Sequence, residues 1–300
     1  MMRLNLIKSL VLVFTFYTLS GAEALAEKSF KPPIIPPSLI TPQIALYANT
    51  EKALISADLK NIKAMSLRGI EKEEQPTYYA TAGAPGAAKS TILETFIHDG
   101  RINAVYVDPD RVALRAMINT YGRHLSAYAA AKMPHYCDLR NEAYAKWRGG
   151  SQYIASHILN ASARKSLSIA HGTTSTADGV KHLYANLKKQ GYQIVLLLCG
   201  ATDEQRLKNI QHRQHEQGIT QETDADVIRK GKAFPGRFQD YFTHANKIYI
   251  YWTENLKEGS VLAAVFSPET SLVVKNKPAL ERFIETHGPL PIAPAAVPQA

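Results

Sequence analysis

The stretch TYYATAGAPGAAKSTILETFI, Thr77 to Ile97, decides how this chain folds. Its first six residues, Thr77 to Ala82, read as a strand. Ile92, Leu93, Phe96 and Ile97 recur at helical spacing, so a helix starts at Lys89. Between the two lies Gly83-Ala84-Pro85-Gly86-Ala87-Ala88-Lys89-Ser90-Thr91. A loop in that position turns successive backbone N–H groups inward while the helix start adds partial positive charge, and together they hold phosphate. A lysine then reaches the β and γ phosphates and a Ser or Thr hydroxyl ligates Mg²⁺. Lys89 and Ser90 stand where those roles require. The strict pattern is GxxxxGK[ST], and Ala88 replaces its second glycine. That glycine often takes a conformation costly for a residue with a Cβ, and its absence of side chain leaves room near the phosphates. Alanine is the smallest intruder. The plainer reading, a strand-to-helix turn with an incidental lysine, is disfavoured because context and spacing both agree with a phosphate loop.

Downstream, INAVYV (Ile102 to Val107) reads as a strand running into Asp108-Pro109-Asp110-Arg111. Two carboxylates then sit at the C-terminal edge of a strand, where open α/β sheets bind ligands. They can hold Mg²⁺ or accept a proton from an attacking hydroxyl; the alternative is an aspartate N-cap with Pro109 at the first helical position. The chain continues with helical stretches from Arg111 to about Lys165, strand Leu167 to Ala170, helix Thr176 to Lys189 and strand Tyr192 to Leu198. Helices follow at Thr202 to Gln217 and Asp224 to Phe242, then strand Lys247 to Trp252. QIVLLLC, Gln193 to Cys199, has no polar alternation, as expected of a strand buried on both faces. This alternation predicts an α/β, P-loop NTPase or kinase-like fold, a mostly parallel sheet flanked by helices.

The 300 residues, 45% apolar and 20% charged, suffice for a folded core. Residues 1–26 read as an export signal: Arg3 and Lys8, the apolar run Ser9 to Gly21, then Ala24-Leu25-Ala26 as cleavage site. No later stretch is long and apolar enough to span a membrane. Residues 27–43 form a Pro-rich linker or strap, 44–76 a helical N-terminal extension, and 77–252 the P-loop domain. Residues 253–287 hold a hairpin (Val261 to Phe266, Ser271 to Lys275) and a last helix (Lys277 to Thr286), and 288–300 a disordered tail. The net charge of +9 suits an anionic ligand, nucleic acid or an acidic membrane. Nucleic acid is the weak choice, because the basic pairs Arg164-Lys165 and Lys188-Lys189 lack interleaved aromatics. Cys137 and Cys199 are too few for a disulfide scaffold; outside the cytosol they could pair, but Cys199 reads better as a small buried hydrophobe.

At this point the chain resembles the zeta-toxin family of P-loop kinases, on GAPGAAKST after a strand, YVDPD after the next, SIAHGTTST, GYQIVLLLC and the helix NIQHRQHEQG. The resemblance implies ATP or GTP held with Mg²⁺ by Gly83, Ala84, Pro85, Gly86, Ala87, Ala88, Lys89, Ser90 and Thr91. It makes Asp110 the base toward a sugar hydroxyl and Arg213 a cation against the transferring phosphate. A second arginine is missing from its expected place, and Arg229 or Arg237 from the next helix is the substitute. Ser90 and Asp108 are the metal positions. His171 stands where many members carry the glutamate of an EGT segment that contacts substrate, which puts the familiar nucleotide-sugar acceptor in question.

Arg111 and Arg115, about one turn apart, could grip an acidic substrate or could simply face solvent. His171 and Thr173 are candidate substrate contacts, although the hydroxyl cluster Thr173 to Thr176 looks more like the cap of the following helix. The reading is therefore an exported, periplasmic, secreted or host-delivered kinase that phosphorylates a hydroxyl of a small metabolite, with an antitoxin-like or host protein as a candidate partner. The alternative is an exported nucleotide-binding effector that kept the loop and lost catalysis.

Overall fold

Strands form where apolar runs can be covered on both sides, and β4 (Gln193–Gly200) is the clearest case. Leu196 and Leu198 pack into the larger core on one face, Leu197 and Cys199 into a smaller cluster on the other. The computed structural model describes residues 31–99, 102–129, 136–217, 223–255 and 258–292. The expected export signal and most of the expected disordered tail lie outside these residues, as does the side chain of Cys137. Pro33–Ala300 group as one compact unit. Among the described residues no helix is long and apolar enough to cross a membrane.

The other strands are β1 (Thr77–Ala82), β2 (Val105–Val107), β3 (Ile169–His171), β5 (Lys247–Asn255), β6 (Gly259–Ser267) and β7 (Ser271–Val274). Among the described residues these seven make one sheet in the order β2-β3-β1-β4-β5-β6-β7. The first five run parallel; β6 and β7 add antiparallel. Register sets Val107 beside His171, and His171 beside Ala80, so the loops after β1, β2 and β3 open on one edge. The expected mostly parallel α/β sheet is present. The hairpin read as a C-terminal extension is continuous with it, since β6 pairs along β5 from Ile248 with Phe266 to Asn255 with Gly259.

Helices cover both faces. On one, α2 (Lys89–His98) lays Ile92 and Leu93 against Ala170, Leu197 and Cys199. On the other lie α1 (Asn49–Ser66), the long α4 (Tyr136–Arg164), α5 (Val180–Lys189) and α8 (Phe238–His244). Between β2 and α4 the chain forms two π-helical turns, Pro109–Leu114 and Ile118–Gly122, and α3 (Arg123–Ala129). After β4 come α6 (Asp203–Gln217) and α7 (Asp224–Ala233); α9 (Lys277–His287) ends the fold.

One expectation needs correction. The single helix read from Asp224 to Phe242 breaks into α7, a 3₁₀ turn at Pro235–Arg237 and α8, because Pro235 has no N–H to continue the ladder and its ring crowds the preceding turn. The Pro-rich segment, read as a linker or a strap, is docked on the fold over its described part. Ile34 is buried, Ile35 N–H donates to Asn160 Oδ1 and Asn160 Nδ2 returns to Ile35 O, both at 2.9 Å. Helical turns at Pro37–Ile40 and Thr41–Ile44 lead into α1.

From α1 the fully buried Asp58 accepts three hydrogen bonds, from Asn119 N–H (3.0 Å), Asn119 Nδ2 (2.9 Å) and the Thr120 hydroxyl (2.7 Å). It fixes the π turn that follows the Asp108–Arg111 segment. Asp58→Ala leaves these donors unsatisfied, and denaturant unfolding is expected to show a loss of at least about 3 kcal/mol.

At the other end of the sheet His287 is 7% exposed, with the Phe234 and Phe283 rings 5.2 and 5.0 Å away. Burial, helped by the Arg206 charge, pushes its imidazole down to about 4. The neutral form is therefore the folded form, and this stabilisation is full above the unfolded value of about 6.5 and lost as pH falls toward 4. His171, also held near 4 by burial, acts in the same direction. Thermal midpoints should fall across that window, and His287→Leu should flatten part of the slope.

Candidate active site

The loop after β1 is packed backbone on backbone. Gly83, at φ 146°, donates its N–H to Thr174 O at 3.0 Å, and a Cβ there would lie 2.3 Å from the Cys199 carbonyl oxygen. Gly86, at φ 84°, would place a Cβ 2.4 Å from the Arg206 carbonyl oxygen. No other residue fits at either position. Asn209 Nδ2 on α6 donates to Gly86 O at 2.7 Å and ties the loop from its outer side. Ala88 adopts φ 58°, ψ 16°, the left-handed conformation, directly before α2 begins at Lys89. An L-residue there costs about 1–2 kcal/mol. The replacement of glycine has thus left the conformation of the loop in place and added strain to it. Lys89 Nζ donates to Ala84 O at 2.7 Å across the loop.

The carboxylates follow β2. Asp108 Oδ1 accepts N–H groups from Asp110 (2.9 Å) and Arg111 (2.8 Å), so Asp108 is the cap of the Pro109–Leu114 turn as well as a cleft residue. Burial raises its pKa above the ordinary carboxylate value, with the Asp110 charge adding to the effect and the two backbone bonds opposing it. Its Oδ2 faces Gly172, where a Cβ would sit 2.4 Å away, so glycine at 172 makes the room. Asp110 Oδ1 accepts from the Tyr144 hydroxyl at 3.2 Å. The π-helical winding of this segment brings Asp110 to the cleft beside Asp108.

At the end of β3, His171 Nδ1 and the buried Tyr78 hydroxyl are 2.6 Å apart. Burial keeps the imidazole neutral, down to about 4. The hydroxyls that follow are not the helix cap their sequence suggests. α5 starts only at Val180, after Gly179. Thr173 N–H donates to Thr81 Oγ1, which donates to Thr173 O; Ser175 Oγ donates to Thr81 O. These bonds tie the loop after β3 to β1.

One cleft of about 470 Å³ gathers these elements. Lys89, Ser90, Thr91, Pro85, Gly86 and Ala88 of the loop line it, together with Asp108, Asp110, Arg111, His171, Thr173 and Arg213. Gly83, Ala84 and Ala87 are buried within the loop. Two readings fail on position. Arg115 is exposed and does not line the cleft. Arg237 is held by Asp178 and Asp240 and by the Thr176 carbonyl and does not line the cleft. Arg229, the other substitute, pairs with Asp226 at 2.8 Å on the surface. Lys230 from α7 lines the cleft where those arginines do not. Arg111 reaches the cleft with its guanidinium held by Glu94 at 2.5 Å.

Sequence reading missed Arg148 and Gln152 of α4, and Asn209, His212 and Lys230. Spacing offered a signal for some of them: Asn209 stands one turn before Arg213, and Arg148 one turn before Gln152. The cysteine reading fits what is described: Cys199 is 1% exposed and burial pushes its thiol up to about 12.

The donor set suits a triphosphate with its metal. Loop amides, a helix N-terminus, Lys89, Arg213 and Lys230 are donors of the kind phosphate takes, and the Ser90 hydroxyl and Asp108 carboxylate are oxygen donors of the kind Mg²⁺ takes.

Comparison with known proteins gives the family. The Zeta toxin family model matches residues 63–248. No curated protein matches the chain. Among solved structures, the chain is similar to one of the PezAT chromosomal toxin–antitoxin system of Streptococcus pneumoniae, with TM-score 0.55 and 16% identity over 79% of this chain and 89% of that one. It is also similar to the AvrRxo1-ORF1:-ORF2 complex, with TM-score 0.57 and 16% identity over 79% of this chain and 73% of that one. The same complex solved with ATP gives TM-score 0.55 and 15% identity over 83% and 76%. These likenesses show the shared fold. Matched across residues 63–248, the chain belongs to the zeta toxin family of kinase-like phosphotransferases.

Proposed function

We propose that this protein transfers the γ-phosphoryl group of ATP to a hydroxyl of a small metabolite. The observation that carries the reading is the loop itself: Ala88 holds the left-handed turn that glycine usually supplies, and Lys89 and Ser90 face the same cleft as Asp110. The complex of AvrRxo1 solved with ATP supports ATP as donor over GTP. Ser90 and Asp108 are the residues to hold Mg²⁺, which would supply charge neutralisation on the phosphates.

In this reading the loop amides and Lys89 bind the phosphates, and Lys89 leaves Ala84 O to do so. Arg213 and Lys230 offset the charge of the transferring group, the main contribution a protein makes to phosphoryl transfer. Asp110 accepts the acceptor hydroxyl proton, with Tyr144 fixing its other oxygen. An antitoxin-like protein is the partner we infer, since the PezAT and AvrRxo1 structures come from a toxin–antitoxin system and a two-component complex. Export through residues 1–26 belongs to the same proposal, with delivery to a compartment that contains ATP.

Three substitutions test it. Lys89→Ala should weaken ATP binding by about tenfold or more in calorimetry, because charge-assisted bonds to phosphate are lost. Asp110→Asn should keep ATP binding and slow transfer across an acceptor panel by about 10²–10⁴-fold. Binding that depends on Lys89, with no turnover on any acceptor and no effect of Asp110→Asn, would instead identify a nucleotide-binding effector. Ala88→Gly should raise stability by about 1 kcal/mol without loss of ATP affinity, by releasing the left-handed strain; lower stability would mean the methyl group packs favourably.

A further inference from the structure

The sheet has an open edge away from the cleft. β7 is its last strand and pairs with β6 alone. In that ladder Val273 lies opposite Val265 and Val274 opposite Ala264, and the same register continues where Lys275 N–H donates to Ala263 O at 2.9 Å. Antiparallel hydrogen bonds fall on alternate residues. Ser271, Val273 and Lys275 therefore bond toward β6, and the N–H and C=O groups of Leu272 and Val274 point outward. Among the described residues no strand lies beyond β7 to take them.

The side chains at this edge are apolar as well. Val273 and Val274 are 39% and 48% exposed. Val273 shares a face with Val265 and Tyr249, its successive cross-strand neighbours, and both of those are half-buried. On the opposite face Leu272 lies beside Phe266, which with Phe242, Pro268 and Ile292 lines a groove of about 260 Å³. Exposed edges are usually blunted by a proline or a charge within the strand. Ser271–Val274 contains neither.

We propose that β7 is the contact surface for a second copy of this chain, the two β7 strands pairing antiparallel about a two-fold axis at Val273. The outward groups fix that register. Leu272 meets Val274 of the second copy and Val274 meets its Leu272, so each outward N–H and C=O is paired and the seven-stranded sheet continues across the axis. Val273 then faces its own copy at a non-hydrogen-bonded position, where side chains come closest, and the row Tyr249, Val265, Val273 runs on into its mate. Val274 of the second copy falls on the face of Leu272, at the rim of the groove. Charge fits the same register. Counting outward from Val273, Glu269 comes opposite Lys277 of the second copy. Both are exposed and they flank opposite ends of β7, so they are apart within one chain and brought together twice across the axis. A shift of two residues either way carries the pairing off one end of the strand. Four residues a side bury less than the roughly 1,200 Å² of a stable interface, so the dimer is a weak, reversible one. Nothing in this contact depends on the transfer reading, since β1, β2 and β3, whose loops form the cleft, lie toward the other side of the sheet.

Sedimentation velocity of the full chain over a concentration series tests the contact. Wild type should pass reversibly from monomer to dimer as concentration rises into the high micromolar range. Val273→Lys sets two like charges directly opposite, and Val274→Pro removes an outward N–H that β6 does not use. Each should weaken dimerisation by about tenfold or more without lowering the melting midpoint. Glu269→Lys and Lys277→Glu should each weaken it by about two- to fivefold, and the double variant should restore it. Amide hydrogen exchange reads the same edge without any substitution: Leu272 and Val274 should slow as concentration rises, and Val273 should not. A chain that stays monomeric at every concentration overturns the proposal. So does a dimer that survives both Val273→Lys and Val274→Pro, or exchange at Leu272 and Val274 that ignores concentration. A double charge variant no better than its singles overturns the register.

Discussion

The site depends on two contacts between backbones: Gly83 against the Cys199 carbonyl and Gly86 against the Arg206 carbonyl. They join the phosphate loop to the end of β4 and the start of α6 with no side chain between. Arg206 extends the joint. Its side chain is fully buried, bonded to Val227 O at 2.8 Å and paired with Asp203, and Gly231 lacks a Cβ where the guanidinium passes. A buried arginine needs such partners, and here both terminal nitrogens have one while Nε has none among the described residues. It holds α7 against α6, which is how Lys230 and Arg213, from separate helices, come to one cleft.

Ala88 shows what that packing can carry. A left-handed alanine is unfavourable alone, and it persists here because both flanks of the loop are fixed: Ala87 and Ala84 are buried, and Ile92 N–H bonds back to Ala88 O at 3.2 Å. Conformation, not residue identity, is what a phosphate loop must preserve. A motif with one letter changed can therefore still describe the same backbone.

The parts legible in sequence were those whose cause is local. The strand, loop and helix from Thr77 to His98 stand where spacing put them, and the unbroken apolar run of β4 announced burial on two faces. Asp108 and Asp110 were read correctly as a pair at a strand edge, though which of them also caps the next turn came only from Oδ1 of Asp108 taking two amides. The parts that failed have causes far along the chain. Arg237 is pulled aside by Asp178, some sixty positions earlier, and the hydroxyls after His171 serve Thr81 of another strand instead of their own helix. Arg148 had no local mark either. Its helix reads as one of several, and only the tertiary path of α4 along the open edge brings that turn to Asp110.

That path explains the N-terminal extension. The strap bonds Asn160 near one end of α4, Tyr47 and Glu51 hold its middle, and Asp58 holds the π turn that follows Asp110. These contacts support α4 and the turns after Asp110, and none of them is made to the loop after β1. The loop after β1 is braced by β4 and α6, and the α4 side of the cleft by residues 33–66, so the two sides have separate supports. Substitutions in the extension should therefore disturb the α4 side of the cleft before they disturb the loop after β1, although the extension contributes none of the side chains that line the cleft.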